Sequence, residues 1–212
     1  MVLDKKVAEQ TINFLTQINA IKLNTKNPFT WTSGIKSPIY CDNRLVLSYP
    51  KIRDFIADSM SQIIKNKYGD DISIAGVATG AIAMGIMIAE RLDLPYAYVR
   101  PEPKGHGLKN QIEGKIDKNS SVIVIEDLIS TGKSSLNAIN ALKSDGYNVM
   151  GMLSIFSYNF EFANKKFDSE KITIDSLADY NTLVEIIESK GELSDEEISR
   201  LKKWREDPKS WG

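Results

Sequence analysis

Four β-branched residues in succession, Val122, Ile123, Val124 and Ile125, constrain this chain more than any other stretch. Successive side chains of a strand point to opposite faces, so such a run hides its apolar atoms only where both faces of a sheet are covered. That is the setting of an inner strand in a parallel sheet. Further strand-like segments over 72–78, 96–99, 149–156 and 172–175 alternate with helix-like segments over 81–92 and 136–143. The alternation predicts an α/β fold with a central, mostly parallel sheet flanked by helices.

Around this centre, Val7, Ile12, Phe14, Leu15, Ile18 and Ile21 predict an opening amphipathic helix. A second helix is expected over 50–68. Pro50 suits its first turn, Ile52, Phe55, Ile56, Met60, Ile63 and Ile64 share one face, and Gly69 ends it. Helices are also expected over 181–189 and 195–204, the latter opened by the cap signal Ser194, Asp195, Glu196, Glu197 after a stop at Gly191. Residues 24–43 break into short extended pieces around glycine and proline. With 212 residues, 42% of them apolar, one domain is the simplest organisation, with a small N-terminal region over about 1–45 and a core over about 46–212.

The formal net charge of −1 provides no general field for nucleic acid or an anionic membrane. An anion has to be caught by a local site. Cys41 is the single cysteine, which excludes an intrachain disulfide and a thiolate zinc cluster and suits a reducing, cytoplasmic setting. No stretch approaches membrane-spanning length.

The local site follows the β-branched run. Glu126 and Asp127 stand at the strand's carboxyl end, where open α/β sheets bind ligands. Two adjacent carboxylates accept hydrogen bonds from neighbouring hydroxyls of a ribose. Leu128, Ile129, Ser130, Thr131, Gly132, Lys133 and Ser134 then lead into the next helix. Amides at a helix start, three hydroxyls and a glycine that permits close approach make a cradle for one phosphate. Gly132, Lys133 and Ser134 match the end of a G-x-x-x-x-G-K-[ST] loop. The position that loop requires as its first glycine is Asp127, whose charge would repel a polyphosphate.

Three other segments carry chemistry. Residues 100–114, RPEPKGHGLKNQIEG, form a long polar connection in which Arg100, Lys104, His106 and Lys109 gather cations. A structureless connection of this length reads as a lid that brings charge to a diphosphate, or as a solvated loop. Residues 29–44, FTWTSGIKSPIYCDNR, read alone as a hairpin carrying Lys36. Residues 77–83, VATGAIA, offer strand-end amides to a diphosphate, and a plain strand-to-helix turn accounts for them equally well.

Four apolar residues, two acidic residues and a D-x-x-x-T-G turn resemble the phosphoribosyl diphosphate (PRPP) motif of the type I phosphoribosyltransferases. The order of all four segments, with SLADYNTLVE near the carboxyl end, resembles the orotate phosphoribosyltransferase family over nearly the whole chain. The resemblance implies the type I phosphoribosyltransferase fold with a hood over about residues 1–45, and transfer of the 5-phosphoribosyl group from PRPP to N1 of orotate. It implies that Arg100, Lys104 and His106 reach the diphosphate, that residues 126–134 hold the ribose 5-phosphate, and that Ser130 lies near orotate. Lys104, His106 and Asp127 are the implied catalytic residues. It also implies Mg²⁺ held mainly by substrate oxygens and water rather than by the protein, and a homodimer sharing the catalytic loop.

Several positions depart from the family pattern. Pro101, Thr32 and Gly80 stand where many or some members carry lysine, and residues 156–159 offer no arginine for the orotate carboxylate. Lys36 is the candidate replacement cation on the orotate side. Two rival readings share the PRPP motif: a nucleobase-salvage phosphoribosyltransferase, and a PRPP-sensing regulator that binds nucleic acid.

Overall fold

The computed structural model describes residues 1–31, 34–103, 110–208 and 211. Helix α1, Lys5–Gln17, is capped by the Asp4 carboxylate, which accepts from the amides of Lys6 and Val7 at 2.8 and 3.1 Å. It ends earlier than its apolar stripe predicts. Asn19 turns into the left-handed region at φ +56°, a conformation asparagine tolerates, and Ile21 opens strand β1 instead. Strand β1, Ile21–Leu23, pairs antiparallel with β4, Ile39–Cys41, and between them β2, Phe29–Thr30, pairs with β3, Lys36–Ser37. These two small ribbons form the hood. Helix α1 and the β1–β4 ribbon both join the main core, since Ala8, Ile12, Leu15, Ile21 and Ile39 are buried in the same cluster as the inner strands.

A 3-10 turn, Asn43–Ser48, leads into helix α2, Pro50–Tyr68, with Pro50 in its first turn and Gly69 at φ +74° closing it. The remaining elements are β5, Ile72–Val77; α3, Ile82–Leu92; β6, Tyr96–Val99; β7, Ile112–Gly114; β8, Ser121–Ile129; α4, Lys133–Ser144; β9, Asn148–Ser157; α5, Glu161–Ser169; β10, Thr173–Asp179; α6, Tyr180–Lys190; and α7, Asp195–Glu206. The six-stranded sheet has the order β10-β9-β8-β5-β6-β7, parallel throughout except for the β6–β7 pair at one edge.

The β8 run is buried on both faces as its composition requires. Ile123 and Ile125 join the core shared with α1, α2, α3, α6 and α7, whereas Val122 and Val124 join the core beneath α4. Two elements were not foreseen. Strand β7 ends what reads in sequence as one long loop, and α5 carries only Phe162, Ala163 and Phe167 as apolar residues, too few for a clear period.

The topology also shapes the crevice. Strand β8 pairs with β9 as far as Ile129↔Ser157, but its pairing with β5 stops at Gly76↔Ile125, because β5 ends at Val77 and the chain turns away through the cis Ala78–Thr79 peptide. Glu126 and Asp127 therefore lie inside the strand, on an overhang with one open side. In strand order, the chain leaves β5 toward β6 in one direction and returns to β8 in the other. That switch is where open sheets place ligands.

Candidate active site

On the overhang the two carboxylates have different environments. Glu126 is only 4% exposed and its oxygens accept from Ser135 Oγ at 3.0 Å and from the Asp127 amide at 3.2 Å. Burial, reinforced by the neighbouring Asp127 charge, pushes its pKa well above the ordinary carboxylate value. Asp127 is half-buried, its backbone carbonyl accepting from Asn43 Nδ2 at 2.6 Å. Its carboxylate lies over Gly80, where an added Cβ would clash with Oδ2. The glycine in the β5–α3 turn thus leaves the space that Asp127 occupies.

The raised Glu126 pKa has a stability consequence. A carboxyl whose proton is held more tightly in the folded state contributes fully below its unfolded pKa of about 4.3, and the contribution is lost as pH rises toward the folded value. Glu126→Gln removes the charge while its carbonyl oxygen can still accept from the Asp127 amide and its NH2 can donate to Ser135 Oγ, reversing that bond. Its melting temperature is expected to match wild type near pH 4 and to exceed it increasingly up to pH 8, by roughly 2–4 °C for each kcal/mol of relieved burial. Calorimetry across that range checks this, and parallel curves would show that Glu126 ionises freely.

Beyond the carboxylates, Ser130 and Thr131 are half-buried and Gly132 is the N-cap of α4 at φ +75°. Gly132 has no side chain to cap the helix, and the first turn of α4 holds no acidic residue, so its amides and dipole favour an anion. Lys133 and Ser134 are exposed beside them, while Leu128 packs on the core and Ile129 is buried. A cavity of about 630 Å³ opens beside the start of α4, bounded by Ala78, Arg100, Pro101, Lys133, Ser134 and Asn137 among others, and not by the carboxylates themselves.

Arg100 leaves β6 at this cavity. Its amide donates to Gln111 O and Gln111 Nε2 donates back to Arg100 O, both at 2.8 Å, and Asn137 Nδ2 of α4 donates to Pro101 O at 2.7 Å. The Arg100 guanidinium stands 3.5 Å from Glu113. Lys104, His106 and Lys109 lie outside the described residues, as do Thr32 and Ser33.

Lys36 is exposed on the hood and its ammonium makes no ion pair among the described residues. Sequence reasoning missed Asn43, which is 2% exposed and joins the hood to the site by accepting from Cys41 Sγ at 3.1 Å while donating to Asp127 O. A lone asparagine after an aspartate carries no motif, and its partner is 84 residues away. At the carboxyl end of β9, where the chain has no arginine, Tyr158 is buried against Trp31, Phe160 and Trp204. Arg205 of α7 donates to the adjacent Asn159 O at 2.8 Å. Burial raises the pKa of Tyr158, and the Cys41 thiol is likewise pushed up by burial, with Asp127 and Asp42 adding to it.

An overhanging acidic pair, an uncapped helix start behind it and a cationic loop root define a phosphoribosyltransferase domain. The family model for the phosphoribosyl transferase domain matches residues 46–174. An orotate phosphoribosyltransferase of Porphyromonas gingivalis is 47% identical over 198 residues, covering 93% of this chain and 94% of that protein. One from Listeria innocua is 44% identical over 212 residues, covering both proteins in full. The crystal structure of orotate phosphoribosyltransferase from Aeropyrum pernix superposes with a TM-score of 0.73 at 30% identity, covering 86% of this chain and 99% of the other. The chain belongs to the orotate phosphoribosyltransferase family.

Proposed function

We infer that this protein transfers the 5-phosphoribosyl group from PRPP to N1 of orotate, giving orotidine 5-monophosphate and pyrophosphate, a step of pyrimidine biosynthesis. The observation that carries the reading is 44–47% identity to orotate phosphoribosyltransferases over nearly the whole length of the chain. In that reaction the bond from the anomeric carbon to the diphosphate breaks as the bond to N1 forms, so the ribose becomes cationic and the leaving group anionic. Positioning and electrostatics are therefore the useful contributions.

Asp127 is assigned to the ribose hydroxyls with Glu126 behind it, and residues 128–134 to the 5-phosphate, with Ser130 toward orotate. Arg100, Lys104 and His106 are assigned to the diphosphate, and Lys36 to the orotate side. No nucleophile is required of the protein. The reading includes Mg²⁺ held chiefly by phosphate oxygens and water, and the half-buried Asp127 carboxylate is the protein oxygen donor that would lie nearest to it. Such an ion would supply positive charge against the diphosphate.

The same reading includes a homodimer that shares the loop after Arg100, and a cytoplasmic protein that binds neither nucleic acid nor membrane. The net charge of −1 supports only the part about nucleic acid and anionic membrane, since it gives no general field for either. The test is Mg²⁺- and PRPP-dependent loss of orotate absorbance, run beside hypoxanthine, adenine and uracil. Conversion of orotate alone is expected. Conversion of another base instead would reassign the enzyme to salvage, and PRPP binding without any conversion would make it a sensor.

A further inference from the structure

The β2–β3 ribbon that carries Lys36 is too small to stand alone. It consists of two residue pairs, Phe29↔Ser37 and Thr30↔Lys36, and shares no backbone pairing with either of the other sheets. An isolated hairpin of this size is not stable in water, so something else must set its position.

The carboxyl-terminal helix does so at two points. Trp204 is fully buried, and its indole Nε1 donates to Lys36 O at 2.9 Å across 168 residues. Its ring meets Trp31, at the end of β2, edge-on at 5.7 Å, and Trp31 in turn packs on Tyr158 at 5.0 Å while donating to Ile39 O at 3.3 Å. Tyr158 closes the path to the site, because its amide donates to Ile129 O at 2.9 Å, one residue before Ser130. The second point is Glu197, two turns earlier on α7. One of its oxygens accepts from Thr25 Oγ1 at 3.0 Å, and the other completes the capping box with Ser194, accepting from its amide at 3.1 Å. Residues seven apart lie on one face of a helix, so a single rigid edge holds both ends of the hood segment.

We infer that Trp204 and Glu197 are positioning residues for nucleobase binding: α7 sets the place of the Lys36 ribbon relative to the crevice, although neither residue is assigned to substrate. The inference rests on the functional reading above, in which Lys36 faces orotate. Hydrogen bonds that hold backbone to a rigid element act on whichever substrate the held segment meets. PRPP is assigned to β8 and α4, to which Thr25 and Glu197 make no hydrogen bond among the described residues; Trp204 meets β8 only indirectly, through Tyr158.

The test uses Trp204→Phe, which keeps a buried ring but removes the N–H, and Thr25→Val, which removes the hydroxyl while leaving the Ser194–Glu197 box intact. Each is expected to raise KM for orotate by about three- to tenfold, the value of one hydrogen bond, with KM for PRPP within about twofold of wild type. Melting temperatures are recorded for both, and Thr25→Val keeps the test decisive if Trp204→Phe folds poorly. An orotate KM unmoved in Thr25→Val, or orotate and PRPP constants rising together in proportion to lost stability, overturns the brace. Failure of the functional reading looks different, since wild type itself would then not consume orotate.

Discussion

Asp127→Ala is expected to lower kcat/KM by about two to three orders of magnitude, because hydrogen bonds to sugar hydroxyls that strengthen as the ring becomes cationic are worth several kcal/mol. The loss falls on kcat as well as on KM for PRPP. Stability is expected to stay within about 1 kcal/mol of wild type: the Asp127 side chain is half-buried, and losing its hydrogen bond to the buried Glu126 carboxyl is offset by removing a like charge beside it. The link between hood and strand survives as well, since Asn43 donates to the Asp127 backbone and not to its side chain. Single-turnover kinetics with saturating PRPP check the prediction. A variant that retained full single-turnover rate would remove Asp127 from the reacting centre and leave the overhang without a chemical role.

Gly132→Ala is expected to cost both stability and phosphate binding. At φ +75° a side chain is strained by about 1–2 kcal/mol, and the added Cβ would also stand 2.9 Å from Phe167 Cε2 on α5, a buried ring in a packed core. Together these predict a fall in melting temperature of roughly 3–10 °C for a chain of this size. Relief of the contact requires the turn to shift, which moves the first amides of α4 away from the anion they face, so KM for PRPP is expected to rise by about tenfold or more. Calorimetry and steady-state kinetics on one preparation check both parts. Unchanged stability would mean that the turn relaxes freely, and unchanged PRPP affinity would mean that the start of α4 is not the phosphate cradle.

Much of this protein was legible from short stretches, because the relevant physics is local. Four β-branched residues in a row require two covered faces, and Val122 to Ile125 divide between two cores as that requirement dictates. Pro50 and Gly69 bracket α2, and the Ser194–Glu197 box opens α7, since caps involve residues three or four apart. The acidic pair and the turn at Ser130 to Ser134 were readable for the same reason: one strand and one helix start carry them contiguously. Local patterns misjudged only boundaries and weak elements, such as α1 ending before Asn19 and the three-residue edge strand β7.

Local patterns alone were enough to give the class of fold and the strand that overhangs the crevice, because strand burial and helix caps act within a few residues. It took the folded arrangement to turn Glu126 inward to Ser135 while Asp127 lies over Gly80, to tie the hood to the strand through Asn43, and to set the Trp204 indole on the Lys36 carbonyl. Each of these depends on where β5 stops relative to β8, or on a partner far along the chain, and neither leaves a periodic trace in the residues concerned. Strand register and long-range hydrogen bonds are settled by the packing of whole elements, after every local preference has been satisfied.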